Sequence, residues 1–411
     1  MNNKKNPENS RRSFLKKGMA GAAGLSVVPS LRALNLEDRK QQNLQDGDDN
    51  KIIWRTLGRT GIKVPIISMG TTANEYIIKA ALDTGIVYFD CAHGYGNGLH
   101  EATFGRVLKD RPRNSFVIVT KIYGLRDNST GMPGTNITAD RFIADFRQRM
   151  ETSLKRFQLD YVDILYLHAA DNTEVIRFNM IKDVMQEIKS EGKTRFLGIA
   201  THTDDVIYAT AEENIYDVIL TGYNFRDQEK GTTKKAIHHA AQSGCGIVGM
   251  KALAGVYWDE ERKQPINPRA ATKWMLQNED IHTVILSMNT FEQLEMYWSL
   301  MNDLTLTPEE ESDLRLGESL GLTGLYCSNC KQCLPQCPFG VDIPKLMRSY
   351  MYAYGYRKPS KAKETLQLVD TGKIKCSECS SCDIDCSMGF NIRKKIKDIT
   401  RIADIPDEFL V

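Results

Sequence analysis

The sequence predicts an α/β chain in which a (β/α)8 barrel of the TIM type is followed by a smaller, cysteine-rich domain of helices and loops. Three observations predict it. Short β-branched runs alternate with helix-forming stretches eight times over residues 54–301, and about 250 residues is the length of such a barrel. No Gly-x-Gly-x-x-Gly follows any of these runs, which counts against a doubly wound sheet. Eight of the 10 cysteines lie between Cys327 and Cys386.

The expected strands are 64–69, 87–91, 116–121, 161–168, 194–200, 218–223, 246–250 and 283–288. Each is rich in Val, Ile or aromatic residues and short enough for a buried parallel strand. Between them, 139–157, 173–191 and 267–277 have helix-forming composition. Residues 305–320 read as a helix capped by Thr307 with Pro308 in its first turn. Residues 343–356 and 361–369, between the two cysteine runs, read as helices. The expected divisions are a leader at 1–36, a linker at 37–52, the barrel at 53–302, a connecting helix at 303–320 and the cysteine-rich domain at 321–411.

Composition narrows the class. With 41% hydrophobic and 26% charged residues, the chain is neither disordered, collagen-like nor a polytopic membrane protein. Its 54 Lys+Arg nearly cancel 52 Asp+Glu, so no global basic field draws in nucleic acid, and none is expected as a partner.

The N-terminus is basic at Lys4 and Lys5 and continues Ser10-Arg11-Arg12-Ser13-Phe14-Leu15-Lys16-Lys17. An apolar, Gly/Ala-rich stretch follows at 19–31, then a polar run at 37–51. The apolar stretch is too short and too glycine-rich for a stable transmembrane anchor, and no Cys near its end offers a lipid anchor. The alternative is a plain basic tail. The eight-residue pattern resembles a twin-arginine export signal. That resemblance implies recognition by the twin-arginine machinery, export of the folded chain to the periplasm or another extracytoplasmic site, and cleavage near Ala33.

The cysteine runs are Cys327-x2-Cys330-x2-Cys333-x3-Cys337-Pro338 and Cys376-x2-Cys379-x2-Cys382-x3-Cys386. This spacing wraps three thiolates around one corner of a [4Fe–4S] cubane, and in two-cluster ferredoxins the fourth Cys of each run ligates the other cluster. By that rule Cys327, Cys330, Cys333 and Cys386 hold one cluster, and Cys376, Cys379, Cys382 and Cys337 the second. Disulfides between adjacent C-x2-C pairs would be strained. A zinc site would leave the third and fourth Cys surplus. The repeated spacing resembles the bacterial ferredoxin-type dicluster domain, with Ser387 where that family usually has Pro. Cys91 and Cys245, alone in apolar strands, read as small hydrophobes.

Active sites of such barrels lie at the C-terminal ends of the strands. There the sequence places Asp90-Cys91-Ala92-His93-Gly94-Tyr95, Lys121 and His168 on one rim. A phenol is a weak proton donor at neutral pH. An ammonium beside it, held by a carboxylate, is expected to lower its pKa, and an imidazole can orient a carbonyl oxygen. This set resembles the aldo-keto reductase tetrad. The likeness continues through Gly96-Asn97-Gly98-Leu99-His100-Glu101, Thr120-Lys121, Leu167-His168 and the segment from Gly192 to Gly198. It implies Tyr95 as general acid, Lys121 tuning it, Asp90 anchoring Lys121, His168 placing substrate, and hydride from NAD(P)H.

The cofactor side departs from that family. Strand five ends Gly198-Ile199-Ala200-Thr201 rather than Gly-Val-Ser-Asn, and Leu220 stands where Gln is expected, shortly before Asn224. Met250-Lys251 replaces the stacking aromatic. Ser287-Met288-Asn289-Thr290 lacks the basic residue for a 2′-phosphate, while Gln293 matches the adenine side. The implied nicotinamide contacts are Thr201, Asn224, Met250, Lys251, Ser287, Asn289 and Gln293, with NADPH preference disfavoured. The segment from Met250 to Gly255 resembles the subgroup carrying a C-terminal ferredoxin domain. The sequence thus reads as an exported oxidoreductase acting on a small carbonyl or alcohol, coupled through two [4Fe–4S] clusters to a redox partner protein. A non-enzymatic iron–sulfur electron carrier with the barrel as docking scaffold is the alternative, and a metabolite-binding module is a third reading.

Overall fold

The computed structural model describes residues 52–410 apart from 128–129, 228–230, 377 and 380–381. The basic leader, the apolar stretch and the Ala33 cleavage expectation lie outside the described residues. Eight parallel strands close into a barrel: β3 (Ile67–Met69), β4 (Tyr88–Asp90), β5 (Val117–Ile122), β6 (Val162–Leu167), β7 (Thr194–Thr201), β8 (Val218–Gly222), β9 (Gly246–Met250) and β10 (Thr283–Leu286), with β10 returning to β3. All eight expected strand runs contribute one barrel strand each.

The first run is divided, and for a mechanical reason. β2 (Lys63–Pro65) pairs antiparallel with β1 (Trp54–Thr56) in a hairpin that precedes the barrel. Ile66 is the joint: its N–H bonds to Ile53 and its carbonyl accepts from Val284 of β10. The hairpin closes the N-terminal end of the barrel, where Leu57 is buried with Val64, Tyr88, Val117, Ile164 and Val218. At the hairpin turn Gly58 has φ +48°, and a Cβ there would lie 2.3 Å from the Gly246 nitrogen at the start of β9.

The helix Ala139–Phe157 has the expected bounds and is capped by Thr138. Residues 173–191 form two helices, Thr173–Arg177 and Asn179–Ser190, because Phe178 between them takes extended backbone (ψ 117°) while its side chain packs against the core. The 305–320 stretch also divides, into Pro308–Leu314 and Leu316–Ser319. Thr307 and Glu310 form a reciprocal capping box at its start.

The cysteine-rich domain folds on the helices Ile343–Tyr350, Pro359–Leu366 and Ile392–Thr400. The first stops short of the expected 356 and ends in a π-turn, Met351–Gly355. There Gly355 meets Gly255 of the barrel so closely that a Cβ would lie 2.4 Å from the Gly255 oxygen. The third helix lies outside the expected elements, although Ile392, Ile396 and Ile399 share a face at helical spacing and are buried with Leu346, Met347 and Leu366. A separate apolar cluster of Phe225, Ala254, Trp258 and Leu314, with Leu322 and Tyr326 packed against it, joins this domain to the barrel. Among the described residues no helix is long and apolar enough to cross a membrane.

The Gly58 contact is backbone against backbone, with no flexible neighbour to yield. Gly58→Ala is therefore expected to destabilise the barrel by about 2 kcal/mol or more, lowering its thermal midpoint by about 4 °C or more. A midpoint within a degree of the parent would contradict this packing.

Candidate active site and iron–sulfur centres

Asp90 ends β4 and Lys121 lies at the end of β5, both buried. The Lys121 ammonium pairs with the Asp90 carboxylate and donates to the Cys91 carbonyl at 2.6 Å. It therefore clamps the first residues of the loop that carries Tyr95. That loop turns through Gly96, Asn97 and Gly98, all with positive φ. Gly98 has no room for a side chain: a Cβ would lie 2.2 Å from the Arg156 guanidinium. Arg156 in turn pairs with buried Glu101 at 3.0 Å and donates to the His93 carbonyl at 2.8 Å. Segment 96–101 is thus the scaffold that fixes Tyr95.

His168 follows β6, its N–H bonded to the Ile122 carbonyl at 2.8 Å. The Tyr95 and His168 rings meet edge to face with centroids 5.7 Å apart. The Lys121 ammonium stands 5.0 Å from the Tyr95 ring centroid. The structure therefore brings Asp90, Tyr95, Lys121 and His168 to one place. Burial holds the His168 imidazole well below its ordinary pKa, reinforced by Lys361, Lys121, Arg126 and His202. The expectation that Lys121 lowers the Tyr95 phenol is not met. Burial pushes the phenol well above its ordinary value, and Asp90, Cys91 and Glu364 add to the rise.

The cause of that burial is the cysteine-rich domain, which sits on the mouth of the barrel. Arg348 of the helix Ile343–Tyr350 pairs with Asp171 of the loop after β6 at 2.9 Å, both largely buried. Asp171 also accepts from the His202 N–H at 2.9 Å, and Asn329 donates to the His202 carbonyl at 2.8 Å. Lys251, just after β9, bonds to the Tyr352 hydroxyl, and its ammonium lies 3.8 Å from the Tyr352 ring centroid. Lys361 stands 4.5 Å from the Tyr95 ring centroid and pairs with Glu364 at 2.8 Å. None of Asp171, His202, Arg348, Tyr352 and Lys361 was singled out in the sequence. No motif announces an interdomain contact, although the segment between the cysteine runs carries four Tyr and eight Lys or Arg.

The proposed nicotinamide contacts are placed unevenly. Thr201 is buried, donates weakly to Asp171 at 3.4 Å and accepts from the Thr203 N–H. Lys251 is taken by Tyr352. Asn224 is buried beside Tyr326 of the dicluster domain. Met250 ends β9, half-buried, and Ser287 lies just beyond β10. Asn289 and Gln293 are exposed and bonded to each other at 2.8 Å. Tyr352 bonds to Lys251 and lies within electrostatic reach of Tyr95, Asp171 and Glu364, so it covers the rim beside the tetrad. With this domain docked, Thr201 and Lys251 are committed to protein partners and the residues do not fit a nicotinamide ring at the centre of the mouth.

The thiols fit iron–sulfur clusters. Cys327, Cys330, Cys333 and Cys386 line one cavity with Ile343, Met347, Met388 and Ile392. Cys376 lies among Cys379, Cys382 and Cys337. The two groups are those expected from the crossed pairing of the runs. Burial pushes the Cys327 thiol up to about 12 and Cys333 up to about 11, a cost that the positive charge of bound iron would offset by favouring the thiolates. Ser387, where the ferredoxin pattern has Pro, lies 3.1 Å from the Cys330 sulfur. Cys91 and Cys245 are both fully buried.

The sequence matches the aldo/keto reductase family over residues 69–273 and the 4Fe-4S dicluster domain over residues 326–391. The chain carries an aldo/keto reductase domain followed by a 4Fe-4S dicluster domain. It is an oxidoreductase of the aldo-keto reductase type. Over 293 residues it is 26% identical to L-galactose dehydrogenase of Arabidopsis thaliana, covering 60% of this chain and 86% of that one. Over 318 residues it is 24% identical to L-glyceraldehyde 3-phosphate reductase of Escherichia coli O157:H7, covering 62% of this chain and 90% of that one. The holo form of an aldo-keto reductase from Bacillus halodurans shares the fold, with a TM-score of 0.51 and 21% identity over 65% of this chain and 96% of that one.

The crossed thiol groups make a direct expectation. Anaerobically purified Cys333→Ser and Cys386→Ser should each lower iron from about eight to about four per chain and remove the same cluster signal, while Cys337→Ser removes the other. Loss of different signals in Cys333→Ser and Cys386→Ser would contradict the grouping.

Proposed function

We propose that the chain is an exported carbonyl/alcohol oxidoreductase in which Tyr95 moves the proton and the docked dicluster domain exchanges electrons with a redox partner protein. One observation carries this reading: Lys361 of the dicluster domain stands over the ring of Tyr95, so the iron-binding and proton-handling halves meet at one point. Reduction of a carbonyl to an alcohol takes two electrons and two protons: Tyr95 gives the oxygen its proton, the carbon takes the second from solvent water, and the reduced partner protein gives both electrons, one at a time. Clusters bound by the eight thiolates would supply single-electron exchange.

The chain's own residues handle the oxygen. His168, neutral at physiological pH, offers an N–H to orient the carbonyl oxygen. Tyr95, protonated there, gives its proton as negative charge builds on that oxygen, because an alkoxide is a stronger base than a phenolate. Lys121, fixed by Asp90 and the Cys91 carbonyl, and Lys361 on the other side stabilise the phenolate left behind. In the direction of oxidation the phenolate takes the alcohol proton. The names of the relatives support a small oxygenated carbonyl or alcohol as substrate. The run from Ser10 to Lys17 supports export through the twin-arginine route to the periplasm. A non-enzymatic carrier would leave unexplained why four polar groups are held together beneath Lys361.

Tyr95→Phe is expected to lower carbonyl reduction by reduced methyl viologen about 100-fold or more with iron content unchanged. Because His168 is held well below its ordinary value, the rate between pH 6 and 9 should show no inflection near 6.5. Parent-like turnover in Tyr95→Phe, or a histidine inflection, would contradict these roles.

A further inference from the structure

The mouth of the barrel holds more positive charge than its own carboxylates neutralise. Asp90 is taken by Lys121, Asp171 by Arg348 and Glu364 by Lys361. Arg126, Lys251 and Lys358 also face this region and form no ion pair among the described residues. Arg126 donates to the His168 carbonyl at 3.2 Å and lies 4.1 Å from the Tyr123 ring centroid. The crowding is visible in the lysines. Burial pushes Lys361 below the usual lysine range, opposed by Glu364 and aided by Lys121 and Arg126. Burial together with Arg348, Lys361 and Lys358 does the same to Lys251. Cations crowded this way, partly out of water and close to other positive groups, are stabilised by an anion brought among them.

The two best placed of these cations flank the reacting groups from different domains. Lys361 stands over Tyr95, and Arg126 holds the backbone of His168. A groove of about 740 Å³ runs between the domains, lined by Arg126, Asp127, Lys363, Leu366, Gln367 and Asp370 among others. Its charges are mixed, and Lys363 is paired with Asp407 at 2.9 Å. Arg126 is the lining residue that touches His168, so one wall of the groove reaches the backbone beside the tetrad.

We infer that the substrate is a carbonyl compound carrying an anionic group, a carboxylate or a phosphate. Arg126 of the barrel and Lys361 of the dicluster domain grip that group while the carbonyl points to Tyr95 and His168. A guanidinium and an ammonium converging on one oxyanion give both a planar and a point-charge partner. A neutral carbonyl would leave these cations as they stand. The substrate site then belongs to neither domain alone. This inference rests on the proposed carbonyl chemistry at Tyr95, but its test does not depend on turnover.

Calorimetric binding to the full, cluster-loaded chain tests it with two pairs that differ in charge: 4-oxopentanoate against its methyl ester, and dihydroxyacetone phosphate against dihydroxyacetone. At least one anionic member should bind about tenfold or more tighter than its neutral partner, with an advantage that falls as salt is raised. Whichever pair shows the effect identifies carboxylate or phosphate. The advantage should shrink about tenfold in Lys361→Met and in Arg126→Met and return in Lys361→Arg. Equal binding within both pairs, no binding of either anion at millimolar concentration, or an advantage that survives both methionine variants would overturn the inference. If the preference holds while Tyr95→Phe keeps full turnover, the proton-transfer reading alone fails.

Discussion

Asp171 is a carboxylate buried at the mouth of a barrel, and the guanidinium that satisfies it comes from the other domain. Removing such a partner is far costlier than never having buried the charge. The Asp171–Arg348 pair therefore fixes where the dicluster domain sits, and most of the chemistry follows from that position. The same carboxylate accepts the His202 N–H, whose residue is gripped again by Asn329. Barrel loop and cluster domain are stitched through one short stretch of chain.

Docking changes the electrostatics of the groups beneath it. In an open barrel the rim phenol and imidazole would be wet and would titrate near their ordinary values. Under the cap, His168 stays neutral and Tyr95 stays protonated, so both can donate to a carbonyl oxygen. Lys361 brings in from above the second positive charge that the phenolate needs. The rewritten ends of β7 and β9 find their partners in protein groups: Thr201 bonds to Asp171, the carboxylate that Arg348 also holds, and Lys251 bonds to Tyr352. At Lys251 a departure from the reductase pattern that reads as a lost cofactor contact is, in the folded chain, a docking contact.

The sequence carried the fold well where the signal is local. Eight β-branched runs mark eight strands, and Thr307 with Glu310 marks a helix start. Each cysteine run brings three sulfurs together by spacing alone. Asp90, Tyr95, Lys121 and His168 were legible because each ends, follows or nearly ends a strand, and barrel geometry sends strand ends to one rim. What spacing does not encode is what meets across the chain. The split at Ile66 depends on bonds to Ile53 and Val284, and the π-turn at 351–355 on the closeness of two glycines a hundred residues apart. The raised Tyr95 phenol depends on a domain that begins more than two hundred residues later. Each is a long-range contact, and a local reading returns the behaviour of the uncovered group.

Everything at the barrel mouth turns on the dicluster domain being seated on the tetrad in solution, and hydrogen–deuterium exchange on the full, cluster-loaded chain measures that most directly. Against the parent, Arg348→Met should show increased exchange at the Tyr95 loop, at 168–171 and at 352–361 together, with the distant hairpin at 54–65 unchanged. Identical exchange at all three segments would contradict it, because the barrel mouth would then be indifferent to the pair said to close it.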